Sequence, residues 1–198
     1  TAAWLGWDPV LSATLPQPDL PGIPFPAILT AEARRYGFHG TLRAPFRLAD
    51  GVGQTQAGQE VAALAARLQP VRCEGLAIEN LQGFLALTPS GCEAALLELA
   101  AAVVEGTNDL RAPLTEAEIA RRRPEALTPR QRDLLQAWGY PHVMEEFRFH
   151  LTLTDRLPEP GPALAALAAH FAPVLPKPFL IEDLCLFGED ASGRFHLL

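Results

Sequence analysis

The chain has 198 residues, of which 48% are hydrophobic, and a formal net charge of −7. This composition is rich enough in apolar side chains for a folded core and excludes a wholly disordered chain. No apolar run approaches the ~20 residues that a membrane helix needs, and the negative charge argues against binding along an extended nucleic-acid backbone. A small phosphorylated ligand, or one end of an RNA, is compatible with this charge.

The predicted elements alternate between strands and helices along most of the chain. Apolar positions two apart indicate strands, and apolar positions three and four apart indicate helices. In chain order, the first half gives a strand at 2–7, a helical turn at 30–35, a strand at 38–48, a helix at 59–68, strands at 75–80 and 83–88, and a helix at 92–104. The second half gives a strand at 145–154, a helix at 162–171, and strands at 179–187 and 194–198.

Two short helices are predicted between these halves, within residues 111–138. Thr115 with Glu118 three residues later has the pattern of a capping box, and Thr128 with Gln131 repeats it. Pro129 occupies the first helical position, where proline is tolerated.

The three cysteines are Cys73, Cys92 and Cys185. Their number is odd and their spacing matches no zinc or redox pattern. We therefore expect buried thiols in a reducing cytoplasm. The sequence shows no secretory signal, which agrees with a cytoplasmic location.

An internal repeat is the most informative feature of the sequence. His39-Gly40-Thr41-Leu42 and His150-Leu151-Thr152-Leu153 share the pattern His-x-Thr-Leu. Each motif is followed by a helix and then by an echo, Ile78-Glu79-Asn80-Leu81 in one half and Ile181-Glu182-Asp183-Leu184 in the other. Each half therefore reads strand, helix, strand, strand, which predicts a duplicated architecture with pseudo-twofold symmetry.

Strand alternation gives each motif one apolar face and one face that carries the histidine and threonine side chains. If the two His-Thr faces meet, a phosphate fits between two imidazoles, one of which accepts a proton while the other donates one. The threonine hydroxyls would donate to phosphate oxygens, and the arginines would add positive charge. The predicted acid–base pair is His39 and His150. The predicted phosphate-binding residues are Thr41, Thr152, Arg43 and Arg148. Tyr36 and Thr154 are candidate substrate contacts.

Two other interpretations of the histidines stay open. Each histidine can be a half-exposed strand residue with a structural hydrogen bond. A zinc site is the second alternative, but His142, His170 and His196 have no ligand-like spacing to the motif pair. We therefore expect no metal and no cofactor.

The paired motifs resemble the 2H phosphoesterase superfamily, which is named for two His-x-Thr/Ser elements and includes 2′,3′-cyclic phosphodiesterases. The flanking segments 36–46, 144–154 and 181–187 resemble the bacterial DUF1045 group, described as phosphonate-metabolism proteins. In that group alanine often stands where this chain has Gly40, a small change that we expect to leave the chemistry undisturbed. Its members also usually carry a further strand before the segment matching residues 2–6, so the first sheet is expected to be incomplete.

The resemblance implies an α+β fold with two pseudo-symmetric antiparallel sheet lobes, outer helices and a central cleft. The chain would then be a single bilobal domain over 1–198, with lobe one at about 1–110, a helical insertion at about 111–140 and lobe two at about 141–198. It carries over His39 and His150 as the acid–base pair and Thr41 and Thr152 as phosphate binders.

The function implied is a metal-independent cyclic phosphodiesterase, a hydrolase acting on a small cyclic sugar or nucleoside phosphate, with no membrane partner. Two alternatives from other classes stay open. One is a non-catalytic module that binds a phosphate ligand or an RNA end. The other is an accessory partner of a phosphonate-processing assembly.

Overall fold

A computed structural model describes residues 2–23 and 25–198 of the chain. It is a mixed α/β structure with several small antiparallel sheets. The α-helices are α1 (Ala2–Leu5), α2 (Pro26–Leu29), α3 (Gln54–Ala65), α4 (Glu93–Gly106), α5 (Glu116–Arg121), α6 (Pro129–Trp138) and α7 (Pro160–Phe171). The strands are β1 (Trp7–Asp8), β2 (Ala13–Thr14), β3 (Val71–Cys73), β4 (Gly75–Leu81), β5 (Phe84–Ser90), β6 (Leu151–Thr152), β7 (Phe179–Ile181), β8 (Phe187–Glu189) and β9 (Phe195–Leu197).

The largest sheet has the strand order β4–β5–β6 and supports the main core. Alternate side chains of β5 and of the segment through β6 face this core and are almost fully buried: Leu85, Leu87, Leu151 and Leu153. Leu167 and Phe171 of α7 pack in the same cluster. The opposite face of these strands carries Phe84, Ala86 and Thr152.

The remaining sheets are two-stranded, and of these the β3–β7 sheet connects distant parts of the chain. β3 pairs with β7, β1 with β2, and β8 with β9, all antiparallel. The β3–β7 pair joins the first half of the repeat to the second.

Both predicted capping boxes are present. The Thr115 side chain accepts from the Glu118 N–H, and the Glu118 side chain accepts from the Thr115 N–H. Thr128 and Gln131 form the same pair of bonds at the start of α6. The hairpin β4–β5 and helices α3, α4 and α7 also occur close to their predicted positions.

Four predicted strands are wrong or much shorter than expected. The strand predicted over 179–187 is reduced to β7, since residues 182–186 are not in a strand and β8 begins only at Phe187. Residues 2–5 are helical, because Gly6 with φ +76° closes a short turn in which its N–H bonds to the Ala2 carbonyl. The strand predicted over 38–48 bends at Leu42 and Arg43. The strand predicted over 145–154 is reduced to β6, since Met144–Glu146 form a 3-10 turn.

Cys73 and Cys92 form a disulfide with a Cα–Cα distance of 5.0 Å, so the expectation of three free thiols is wrong. The pairing joins β3 to the residue that precedes α4, a contact that the separation of 19 residues does not reveal. Cys185 is a free, exposed thiol. Among the described residues, no helix is both long and apolar enough to cross a bilayer.

Candidate functional site

The two His-x-Thr segments lie side by side. Gly40 forms an antiparallel bridge with Leu151, on the edge of β6 that faces away from β5. This register sets His39 opposite Thr152 and Thr41 opposite His150. Directly opposite residues of an antiparallel pair have Cβ atoms about 4.5–5.5 Å apart. Both histidines and both threonines therefore form one group, which we call the His–Thr quartet, on the face opposite the core.

The two imidazoles of the quartet are held in the same way. Nδ1 of His39 is 3.0 Å from the carbonyl oxygen of Gly37, and Nδ1 of His150 is 2.9 Å from that of Arg148. A carbonyl only accepts hydrogen bonds, so each Nδ1 carries the hydrogen. Each ring consequently keeps Nε2 for other partners, and the pseudo-symmetry of the sequence extends to the orientation of the rings.

The Nε2 atoms of the two rings differ in their surroundings. Nε2 of His39 accepts from the Thr41 hydroxyl at 2.8 Å, whereas in the described part of the chain Nε2 of His150 has no hydrogen-bond partner. Burial lowers the pKa of His39, against the raising effect of the Gly37 carbonyl, and the charge of nearby His150 lowers it further. The neutral form of His39 is thus favoured, and the two rings lie within electrostatic range of each other.

An aromatic ring from the opposite half of the repeat flanks each histidine. The Phe84 and His150 ring centroids are 5.5 Å apart, and those of Phe187 and His39 are 6.1 Å apart. The sequence interpretation missed both phenylalanines. Their signal is an extension of the repeat, since each phenylalanine stands six residues after the first isoleucine of its echo, Ile78 or Ile181.

Tyr36 lies beside His39 of the quartet, and its role as a substrate contact stays a prediction. Its ring stacks on His39 at 5.8 Å and on Phe195 at 4.7 Å, with interplanar angles of 25° and 21°. This stack fixes one side of the His39 imidazole to β9.

Arg43 does not join the quartet, which corrects its prediction as a phosphate-binding residue. The bend at residues 42–43 ends strand alternation and turns its guanidinium towards the end of α4. There it donates to the Val104 carbonyl and to Oδ1 of Asn108, and its carbon lies 4.8 Å from the Phe46 ring. Burial and the charge of Arg111 lower the pKa of Arg43 to about 10.

Thr154 is also placed differently from the prediction. It is 1% exposed, and its hydroxyl oxygen accepts from the Leu85 N–H at 3.0 Å. It is therefore a structural group under the sheet and not a substrate contact. Arg148, in contrast, is exposed, and its side chain has no hydrogen bond or ion pair within the part of the chain that the structure describes.

Gly40 is more constrained than the sequence suggested. A Cβ atom built at Gly40 would lie 2.2 Å from Cζ of Phe149. The change to alanine is therefore not small for packing in this chain, because the Phe149 ring occupies the space that the methyl group needs, whereas its effect on the chemistry stays a prediction.

Neither of two surface depressions in the structure contains the paired histidines. One is lined by Arg43, Arg111 and aromatic residues near α6, and the other by residues near α3 and β7. The expected central cleft therefore stays a prediction. Among residues 2–23 and 25–198, no three His, Cys, Asp or Glu side chains come together as a metal-ligand set.

Comparison with known proteins gives a family and two curated relatives. Residues 41–196 match the model of a family described as "Protein of unknown function (DUF1045)". The chain is 40% identical over 200 residues to a protein of Janthinobacterium sp. (strain Marseille) named "Ribose 1,5-bisphosphate phosphokinase PhnN", with 97% of this chain and 44% of the relative covered. A protein of Laribacter hongkongensis (strain HLHK9) with the same name is 38% identical over 194 residues, with 97% and 45% covered. No solved structure matches the chain.

These relatives contradict the expected function. Both are named as phosphokinases, a different reaction class from a hydrolase that opens cyclic phosphodiesters. The chain spans less than half the length of these relatives. It also lacks the Gly-x-x-x-x-Gly-Lys-Ser/Thr loop that cradles nucleotide phosphates in many kinases, since its one lysine is Lys177, between two prolines.

Proposed function

The chain belongs to the DUF1045 family, and from that premise we propose that it binds a phosphorylated ribose through the His–Thr quartet, in the context of phosphonate metabolism. The observation that carries the proposal is the Gly40–Leu151 bridge, which sets both His-x-Thr segments on one face. The name of the relatives supplies the ligand class, a ribose that carries phosphate groups.

The chemistry of the quartet suits a phosphate group. Each imidazole has its Nδ1–H held by a backbone carbonyl, so Nε2 is the ring atom that can meet a ligand. The neutral His39 ring accepts there from a protonated phosphate oxygen when the Thr41 hydroxyl turns to donate to the phosphate. The hydroxyls of Thr41 and Thr152 supply donors, and the exposed guanidinium of Arg148 adds charge-assisted hydrogen bonds, which are about twice as strong as neutral ones.

The aromatic rings suit the ribose. Phe84 and Phe187 approach the two histidines from opposite halves of the repeat. An apolar ring beside a phosphate-binding group gives a sugar an edge to pack on while its phosphate is held. Tyr36 contributes by keeping the His39 ring in place.

The kinase reaction is proposed to need a part of the relatives outside the matched half. This follows from the absence of a lysine-containing nucleotide loop in the present sequence. The chain would then be the half that holds a phosphorylated ribose, with no cofactor of its own.

The same proposal includes the bilobal arrangement of the 2H superfamily. Lobe one would span about 1–110, the helical insertion about 111–140 and lobe two about 141–198. Two observations support a pseudo-twofold relation between the lobes. Each half supplies the phenylalanine that flanks the histidine of the other half, and both histidines bond through Nδ1 to the carbonyl two residues earlier.

Calorimetric titration of the chain with ribose 5-phosphate, and with ribose, tests this function. We expect binding of the phosphate ester and none of the free sugar. Thr41→Val and Thr152→Val should each weaken binding about tenfold, or about 1.4 kcal/mol, while the exposed helix residue variant Thr55→Val should not. Equal binding by all three variants would contradict the assignment of the quartet.

A second measurement separates binding from the kinase reaction. Incubation of the chain with ATP and a phosphorylated ribose should yield no ADP. Production of ADP by this chain alone would contradict the proposed division of labour between the halves of the relatives.

A further inference from the structure

A chain of hydrogen bonds links a serine, a histidine and an aspartate away from the His–Thr quartet. The Ser12 hydroxyl is 2.8 Å from Nδ1 of His196, and Nε2 of His196 is 2.9 Å from Oδ2 of Asp190. Ser12 precedes β2, His196 lies in β9, and Asp190 follows β8. Residues far apart in sequence thus assemble the residue types of a nucleophile, a base and an orienting carboxylate.

The fold fixes this assembly by backbone contacts. The Leu197 N–H donates to the Pro9 carbonyl at 3.0 Å, and Nε1 of Trp7 donates to the Phe195 carbonyl at 3.0 Å. The Trp7 and His196 rings pack nearly perpendicular to each other, with centroids 5.3 Å apart. These contacts join the β1–β2 hairpin to β9 and leave the His196 ring between its two polar partners.

The partners of His196 determine where its proton lies. Asp190 accepts from Ser192 Oγ at 2.7 Å and from the N–H groups of Ser192 and Arg194 at 2.8 and 3.0 Å. These bonds and the one from His196 hold the pKa of Asp190 well below its usual range. The ionised Oδ2 of Asp190 accepts a hydrogen bond from the Nε2–H of His196. Nδ1 of His196 then carries no hydrogen and can accept a hydrogen bond from the Ser12 hydroxyl. Serine hydrolases commonly use the two ring nitrogens in the reverse order, but either nitrogen can act as the base.

The backbone at Ser12 is unusual for a residue with a side chain. Its φ is +51°, in the left-handed region that costs a non-glycine residue free energy, and such strain concentrates at functional sites. Asp8 holds the turn by accepting the N–H groups of Val10 and Leu11 at 2.9 and 3.1 Å. The side chains of His196 and Asp190 are 26% and 39% exposed, so a small molecule can reach the group from solvent.

We propose that Ser12, His196 and Asp190 form a second reactive site, in which Ser12 is a nucleophile towards short-chain carboxylic esters. Oγ of Ser12 bonds to the ester carbonyl carbon as its proton passes to Nδ1 of His196. The bond from carbon to the alcohol oxygen then breaks, and the alcohol leaves with that proton, which gives an acyl-Ser12. Water attacks the acyl group, returns a proton to Ser12 through His196 and releases the carboxylic acid. Asp190 acts as a positioning residue that orients the imidazole.

Labelling with a fluorophosphonate probe, followed by peptide mass spectrometry, tests the nucleophile directly. We expect one adduct per chain, located on Ser12, with fluoride as the leaving group. Wild-type chain is labelled in this experiment, so the result does not depend on whether any variant folds. An adduct elsewhere, or none, would overturn the proposal.

Variants then test the roles of the other two residues. His196→Gln should slow labelling at least about 100-fold, the lower end of a general-base contribution. Asp190→Asn should also slow labelling, and Asp190→Glu should restore part of the rate, which a merely structural role would not produce. Ser12→Ala should lose hydrolysis of p-nitrophenyl acetate, whereas the exposed-serine control Ser90→Ala should keep it. Equal ester hydrolysis by Ser12→Ala and Ser90→Ala would contradict the assignment.

Discussion

The ring of Phe149 lies over the backbone of Gly40 so closely that a Cβ atom there would be 2.2 Å from Cζ. We predict that Gly40→Ala destabilises the protein by about 1–3 kcal/mol, the usual range for overpacking. The double variant Gly40→Ala/Phe149→Leu should recover part of this loss, because leucine is shorter. Urea unfolding measures both, and equal stability of wild type and Gly40→Ala would show that the ring yields freely.

Removal of the Phe187 ring should raise the pKa of His39. Burial is the largest cause of its lowered pKa, and Phe187 is one of the rings that flank it. NMR titration of the His39 ring in Phe187→Ala should show the pKa moving towards the ordinary value. Phe84→Ala serves as the matched control, since Phe84 flanks His150 instead. The same change of the His39 pKa in both variants would contradict the assignment of Phe187 as the ring that buries His39.

The stability of the protein should fall as pH decreases through the titration range of His39. Its pKa in the folded protein lies below the ordinary value of about 6.5, so the unfolded chain binds more protons between those two values. Stability therefore rises with pH across that window and is lost below it. Urea unfolding as a function of pH should show a weaker acid loss in His39→Gln, whereas the exposed-histidine variant His170→Gln should keep the wild-type slope.

The two arginines next to the motifs should behave differently. Arg148→Met should weaken ribose 5-phosphate binding about tenfold, or about 1.4 kcal/mol, because its exposed guanidinium is two residues from His150, whose Nδ1 bonds to the Arg148 carbonyl. Arg43→Met should leave binding unchanged and lower stability, because Arg43 bonds to the Val104 carbonyl near the end of α4. Titration calorimetry and thermal unfolding of the same two variants distinguish these roles. Weaker binding by Arg43→Met with unchanged binding by Arg148→Met would show that Arg43, and not Arg148, contacts the ligand.

Reduction of the Cys73–Cys92 disulfide should lower the free energy of unfolding by about 3 kcal/mol, the chain-entropy value for a loop of this size. Urea unfolding with and without a reductant measures the difference. The variant Cys73→Ser/Cys92→Ser should be insensitive to the reductant. Unchanged stability of wild-type protein on reduction would show that buried contacts of the two side chains dominate instead.

Where local alternation continues through a motif, the sequence alone was enough to predict which side chains share a face. His39 and Thr41, and likewise His150 and Thr152, share a face because each pair lies two residues apart in extended backbone. Alternation failed for Arg43, which lies in the bend at residues 42–43 ahead of Pro45. Thr154 lies beyond the end of β6, where its hydroxyl is drawn under the sheet to the Leu85 N–H.

Other features depend on contacts that no local pattern encodes. Residues 2–5 form a single helical turn whose apolar spacing also fits a strand, and burial of Trp4 with its Nε1 bonded to the Leu153 carbonyl decides between the two. The Cys73–Cys92 pairing depends on how α4 packs against β3. The sequence could identify Phe84 and Phe187 as equivalent positions of the repeat. It could not show that each ring packs beside the histidine of the other half.

The crossing of Phe84 and Phe187 makes the two halves of the chain depend on each other. Neither half, expressed as a separate fragment, carries both a histidine and the phenylalanine that flanks it. β6 of the second half also completes the sheet of the first. A cut in the chain between the halves would therefore leave two fragments whose ligand binding returns only on reassociation, so that ribose phosphate would act as the agent that drives their complementation.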